Sequence, residues 1–291
     1  MRKDRKNSRK SQSNLAFLFI FFIGFLLLSY PILGQVMTFF QAQEQIETYE
    51  KEVSKLEPEE ISKRLELAQA YNASLISLSN EGALQDPFTK EEKEAGRAEY
   101  ARMLEIHEQI GYIEIPRIQQ ELPIYAGTAE VVLQKGIGHL EGTSLPVGGE
   151  NRHTVLTGHR GLPNARLFTD LDKVKVDDIV LLQVLDKTFA YQVDQILTVE
   201  PTDISHISII PEGDYLTLIT CTPYMVNTHR LLVRGVRVPF EEKEIQKKIT
   251  EQQESSLHPL FYLSFVIIPV LLILFWILGS RRKKRVKDEK E

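Results

Sequence analysis

Two long apolar runs, one near each end of the chain, limit what it can become. Leu15 to Leu33 is almost unbroken, and Leu260 to Leu278 is interrupted only by small or aromatic polar groups and Pro269. Each is roughly nineteen residues long, close to the ~20 that cross a bilayer core as a helix. Their flanks are basic: residues 1–10 hold six Lys or Arg against one Asp, and residues 281–291 hold seven against three acids. The chain as a whole carries −5, so residues 11–280 carry −14. Positive flanks stay in the cytoplasm. The expectation is two transmembrane helices, both termini cytoplasmic and everything between them outside. A buried core helix is the alternative for either run, and a cleaved signal peptide for the first. Against the latter, the run exceeds the usual length and lacks a clear small-residue cleavage site.

An acidic central region argues against nucleic acid, which needs a basic surface. The basic tails read as topogenic charges facing anionic lipid. The chain holds one cysteine, Cys221. It cannot form an internal disulfide, so in an oxidising compartment the thiol is either buried and inert or kept for its reactivity.

Between the apolar runs the character changes at about residue 110. Ile46, Tyr49, Val53 and Leu56 form one helical stripe, Pro58 breaks it, and Ile61, Leu65 and Ala68 continue a second. These predict a helical pair over 41–79 packing on the domain. Oligomerisation through the stripes is the alternative. A polar loop, NEGALQDPF, follows over 80–88, and Thr89 with Glu92 reads as a capping box opening a helix to about His107. From Gly111 short β-like runs recur (111–115, 122–125, 153–157, 179–185, 189–199, 215–220, 231–238), with a short helix at 131–135. Seven or so short strands predict a closed barrel or a sandwich. The expected organisation is a basic tail (1–14), a span (15–34) and a helical extension (35–110). A β domain (111–240), a polar stalk or surface helix (241–259), a second span (260–279) and a basic tail (280–291) follow.

The densest chemical signal is TLITCTPYMVNTHRLLVRG, residues 217–235. An apolar strand runs into Cys221, a turn follows, and a second strand opens at Arg230. If the two pair as a hairpin, a guanidinium lies beside a thiol. A cation favours thiolate, the nucleophilic form, and a side chain that keeps its proton suits an oxyanion better than a base role. His159 closes a β-like run and opens the loop HRGLPNA, a position where catalytic groups tend to sit. A Cys–His pair divides acyl transfer between attack and proton transfer. His229 is a rival base, but neighbours on a strand face opposite ways, so it and Arg230 cannot share a pocket. One Cys and dispersed His offer no metal-ligand spacing.

TLITCTPY, the NTHRLLVRG that follows it and the upstream TGHRG resemble the signature motifs of the sortase family, over roughly Gly111 to Val238. The resemblance implies a mostly β fold, a closed eight-stranded barrel, here with an N-terminal helical extension and two transmembrane helices. It assigns Cys221, His159 and Arg230 as the catalytic group, with no cofactor or metal. The second span and the helical extension resemble class C, the pilus-building sortases. In that class a lid carrying Asp-Pro-aromatic covers the site. Asp86, Pro87 and Phe88 fit that pattern, with Asp86 expected to face Arg230 and Phe88 to cover Cys221. The implied partners are LPxTG-like sorting signals of secreted pilin or surface proteins and a pilin Lys amine. The implied location is the plasma membrane of a Gram-positive bacterium, with the catalytic domain extracellular. One departure from the family pattern is Met225, where Gly is more usual. Three rivals remain: a housekeeping-type sortase anchoring proteins to cell wall, a surface cysteine hydrolase, and a non-enzymatic membrane scaffold.

Overall fold

The computed structural model describes residues 2–78, 99–252 and 270. Helix α1 (Arg2–Val53) is continuous along the chain, but residues up to Met37 and residues from Thr38 onward belong to different compact units. No single described helix is long and apolar enough to cross a membrane, whereas Phe19–Leu27 and Ser29–Val53 qualify together, bent by 41°. Pro31 explains the bend: its ring meets the carbonyl four residues back, that of Leu27, and it donates no hydrogen bond. Phe19, Ile20, Leu26, Leu27 and Tyr30 all expose their side chains. Most of the second apolar run lies outside the described residues.

In the second unit, the end of α1 and helix α2 (Pro58–Leu78) form the expected helical pair. Their stripes face the domain: Ile46, Tyr49, Val53, Ile61 and Ala68 are buried. The Tyr49 hydroxyl donates to Ile110 O (3.4 Å) and accepts from Leu185 N–H (2.8 Å), and burial pushes its ionisation upward. Asn72 of α2, fully buried, donates to Leu145 O (3.0 Å) and accepts from Leu145 N–H (2.7 Å). The helix expected to reach His107 is corrected in its described part. Only Glu99–Ala101 is helical, as a 3-10 turn. His107 and Glu108 have φ of 50° and 74°, in the left-handed region that a right-handed helix cannot continue through.

Eight strands follow: β1 (Gln109–Ile115), β2 (Gln120–Ala126), β3 (Ile137–His139), β4 (Arg152–Thr157), β5 (Ile179–Val184), β6 (Lys187–Val199), β7 (Asp214–Thr222) and β8 (His229–Val238). They close into a barrel in the order β1-β2-β3-β4-β7-β8-β6-β5. The β2–β3 and β4–β7 pairs are parallel and the others antiparallel. Closure leaves no unpaired edge. Alternation sorts the side chains. Leu156, Leu216, Leu218, Leu231 and Val233 join the main core inside, while Val155, Ile219 and Leu232 face outward into a second apolar cluster with Leu140 and Ile207. A short helix α3 (Glu130–Leu133) lies between β2 and β3, at the predicted place. Within the polar segment after β8, helix α4 (Glu242–Gln252) buries Ile245 and Ile249 against Ile179, Leu181 and Ala190.

Candidate active site

The sequence-predicted group lies on or just past strands β4, β7 and β8. In the antiparallel β7–β8 register, Cys221 is the direct partner of Arg230. In the parallel β4–β7 register, Thr157 is level with Ile219. The chains stay in step one residue further: Gly158 N–H donates to Ile219 O (3.2 Å), and the Thr220 hydroxyl donates to Gly158 O (2.8 Å). His159 follows directly, just past the last of these β4–β7 contacts. The nucleophile candidate thus occupies the middle strand, with Arg230 paired to it on β8 and His159 just beyond the end of β4. By the two-residue period, Cys221 and Arg230 share the face of Ile219 and Leu232, at one end of that apolar floor. The β6–β7 connection covers the floor through its 3-10 turn Ser205–Ile207.

Local sequence explains each placement. Gly158 is required by close approach: a Cβ there would lie 2.6 Å from Ile137 Cδ1 and 2.9 Å from Phe168 Cδ2, so any larger residue would push the strand, and His159 with it. The His159 carbonyl accepts from Phe168 N–H (3.2 Å), closing the loop back on the strand. Arg230 is buried, and its Nη1 donates to Asn227 O (3.3 Å) and His229 O (3.2 Å), which fixes the guanidinium over the β7–β8 turn. In that turn the Thr222–Pro223 peptide is cis, and Met225 and Asn227 adopt φ of 64° and 61°. Met225 thus holds a left-handed conformation that Gly would adopt without strain.

His229 turns away from Arg230 and sits 3.1 Å from Glu200. Cys221 is buried and makes no disulfide. Among the described residues no cluster of three or more His, Cys, Asp or Glu is arranged to hold a metal. Asp86, Pro87 and Phe88 lie outside the described residues.

Sequence reasoning missed Glu130. From the first turn of α3 both its carboxylate oxygens lie 3.2 Å from His159 Nε2. The Gln134 amide, and secondarily His159, hold its carboxyl below the usual carboxylate range. One acid among many, 29 positions upstream of its partner, carries no local signal.

The sortase domain model matches residues 113–238. Sortase D of Bacillus subtilis is 34% identical over 131 residues, which cover 44% of this chain and 63% of that protein. The chain thus spans just under two thirds of that curated relative. Solved structures match further. The crystal structure of Streptococcus pneumoniae sortase C is 55% identical, covering 68% of this chain and 97% of that one, with a TM-score of 0.62. A pilus-related sortase C of group B Streptococcus is 52% identical, covering 69% and 97%, with a TM-score of 0.61.

Proposed function

The chain belongs to the sortase family, and we propose that it is a class C, pilin-polymerising cysteine transpeptidase using Cys221, His159 and Arg230. The observation that carries this reading is the cross-strand pairing of Cys221 with Arg230, beside the parallel strand β4 whose end leads into His159. The likeness to sortases C over nearly their whole length supports the class.

The chemistry follows from the placement. The Cys221 thiolate attacks the Thr carbonyl of an LPxTG-like sorting signal, and the developing oxyanion meets the Arg230 guanidinium, whose charge needs no reorganisation. The C–N bond breaks as His159 passes a proton to the departing Gly amine, leaving a thioester on Cys221. A pilin Lys amine then attacks the thioester and gives a proton to His159. The thiolate leaves, and an isopeptide bond joins two subunits. We place the chain in the plasma membrane of a Gram-positive bacterium, with both termini cytoplasmic and the barrel outside. The exposed apolar surface of Phe19, Ile20, Leu26 and Leu27 supports that anchoring.

The test uses the full chain in detergent micelles, wild type and Cys221→Ala, with an LPxTG peptide and a Lys-bearing acceptor peptide, read by mass spectrometry. The expected result is an acyl adduct on Cys221 that passes to the acceptor amine, absent from Cys221→Ala. Transfer by the alanine variant overturns the assignment. Release to water at the same rate with or without acceptor identifies a hydrolase instead.

A further inference from the structure

Arg160, next to His159, is a partly buried residue with only 6% of its side chain exposed. Its guanidinium joins three separate segments. Nε donates to Thr169 O (3.2 Å), inside the loop that His159 opens. Nη2 lies 2.6 Å from Asp172 Oδ2, beyond that loop. Nη1 donates to the Thr222 hydroxyl (2.9 Å), at the end of β7 and one residue past Cys221. The loop is tied at two further points, Phe168 N–H to His159 O and Gly161 N–H to Thr169 Oγ1, both at 3.2 Å. The Tyr224 ring lies 5.9 Å from the guanidinium carbon, so the β7–β8 turn also touches it.

The backbone pairing of β4 with β7 ends just before the residues that must work together. Beyond Gly158 the histidine loop departs and is rejoined to β7 through Arg160 and Thr222. A buried guanidinium with three oxygen partners in a fixed planar fork holds distance and angle better than a flexible ammonium. We infer that Arg160 is a positioning residue: its hydrogen bond to Thr222 fixes the distance between His159 and Cys221. This rests on the sortase chemistry proposed above only for its effect on transfer, since the distance itself sets how the thiol reacts with any electrophile.

The bond can be cut without disturbing the Asp172 pair. Thr222→Val removes the hydroxyl and keeps the shape, and Thr222→Ser keeps the hydroxyl and loses a methyl. With the full chain in micelles, Thr222→Val is expected to lower kcat about tenfold with KM within about twofold, because a small displacement of a reacting group costs rate and not binding. Thr222→Ser is expected to stay within about twofold of wild type. Iodoacetamide alkylation of Cys221 needs no sorting signal. Its pH profile is expected to move by about half a unit or more in the valine variant and not in the serine variant. Unchanged kcat and unchanged alkylation in Thr222→Val overturn the inference, as does equal loss in Val and Ser. If wild type transfers nothing while the alkylation profiles of Val and Ser still separate, the positioning role stands and the substrate reading fails.

Discussion

Cys221 and Arg230 are cross-strand partners on β7 and β8, and the guanidinium is held by two carbonyls of its own turn, Asn227 and His229. The side chain spends hydrogen bonds on orienting itself, so its geometry and not just its charge is built in. Arg230→Lys preserves the charge and loses the planar fork. The expected result is a fall of about 10²-fold in kcat, the size seen when one oxyanion donor is lost. A steady-state assay with the LPxTG and Lys peptides checks it, and a lysine variant at wild-type kcat would reduce Arg230 to a charge.

Acid should unfold this protein early, because two histidines are buried neutral. His139 Nε2–H donates to Ser144 O (2.8 Å), since a carbonyl only accepts, and Nδ1 then accepts from the Tyr100 hydroxyl (2.7 Å). His153 Nδ1–H donates to Ser208 O (2.7 Å), and Nε2 accepts from the Thr217 hydroxyl (2.7 Å). Burial pushes both down to about 4 from 6.5. The unfolded chain therefore binds more protons than the native state between those values. Stability is complete above pH 6.5 and is lost as pH falls towards 4, by at most ~3 kcal/mol per histidine. Thermal melts across pH 4–7 should show a flatter slope for His153→Gln than for wild type, and parallel slopes would refute the assignment.

Much of this was legible in the sequence, and the reasons are physical. The β7–β8 hairpin, with Cys221 and Arg230 at its mouth, follows from two apolar strands joined by a Pro–Asn turn. The helical stripes ending in Leu56 and Ala68 were readable because helix burial has a short period, although helix α1 itself stops at Val53. Strand β3 was missed because three residues, Ile137–His139, are too few to show alternation. Glu130, Asn72 and Arg160 were missed for a different cause. Each acts through a partner distant in the chain (His159, Leu145 and Thr222), and the fold alone brings them together.

Gly161 and Met225 face each other across the two loops of the site. Gly161 has φ of 91°, and a Cβ there would lie 3.2 Å from Met225 Sδ and 3.3 Å from Tyr224 Cε2. Gly161→Ala therefore incurs backbone strain and a tight contact, about 1–2 kcal/mol together. Met225→Gly relieves its own left-handed φ and removes the sulfur. The two changes should be non-additive, the double variant recovering about 0.5–1 kcal/mol over the sum of the single ones. Denaturant titration of the four proteins measures it, and strict additivity would mean that the loops do not touch in solution.

Asn72 offers the sharpest test of how α2 is held to the barrel. Its amide matches both backbone groups of Leu145, with distances of 3.0 Å and 2.7 Å, at full burial. Asn72→Ala leaves the Leu145 N–H and C=O without these partners and opens a small cavity. An unsatisfied buried polar group costs ~1–3 kcal/mol, so a loss of about 3 kcal/mol is expected. Asn72→Asp keeps the acceptor for Leu145 N–H but sets a carboxylate oxygen against the Leu145 carbonyl, so it should lose at least as much near neutral pH. On acidification the protonated carboxyl can donate to that carbonyl, and part of the loss should return. Denaturation midpoints at pH 7 and pH 5 separate the outcomes. An aspartate variant equal to wild type at pH 7 would show that the donor half of the clamp contributes nothing.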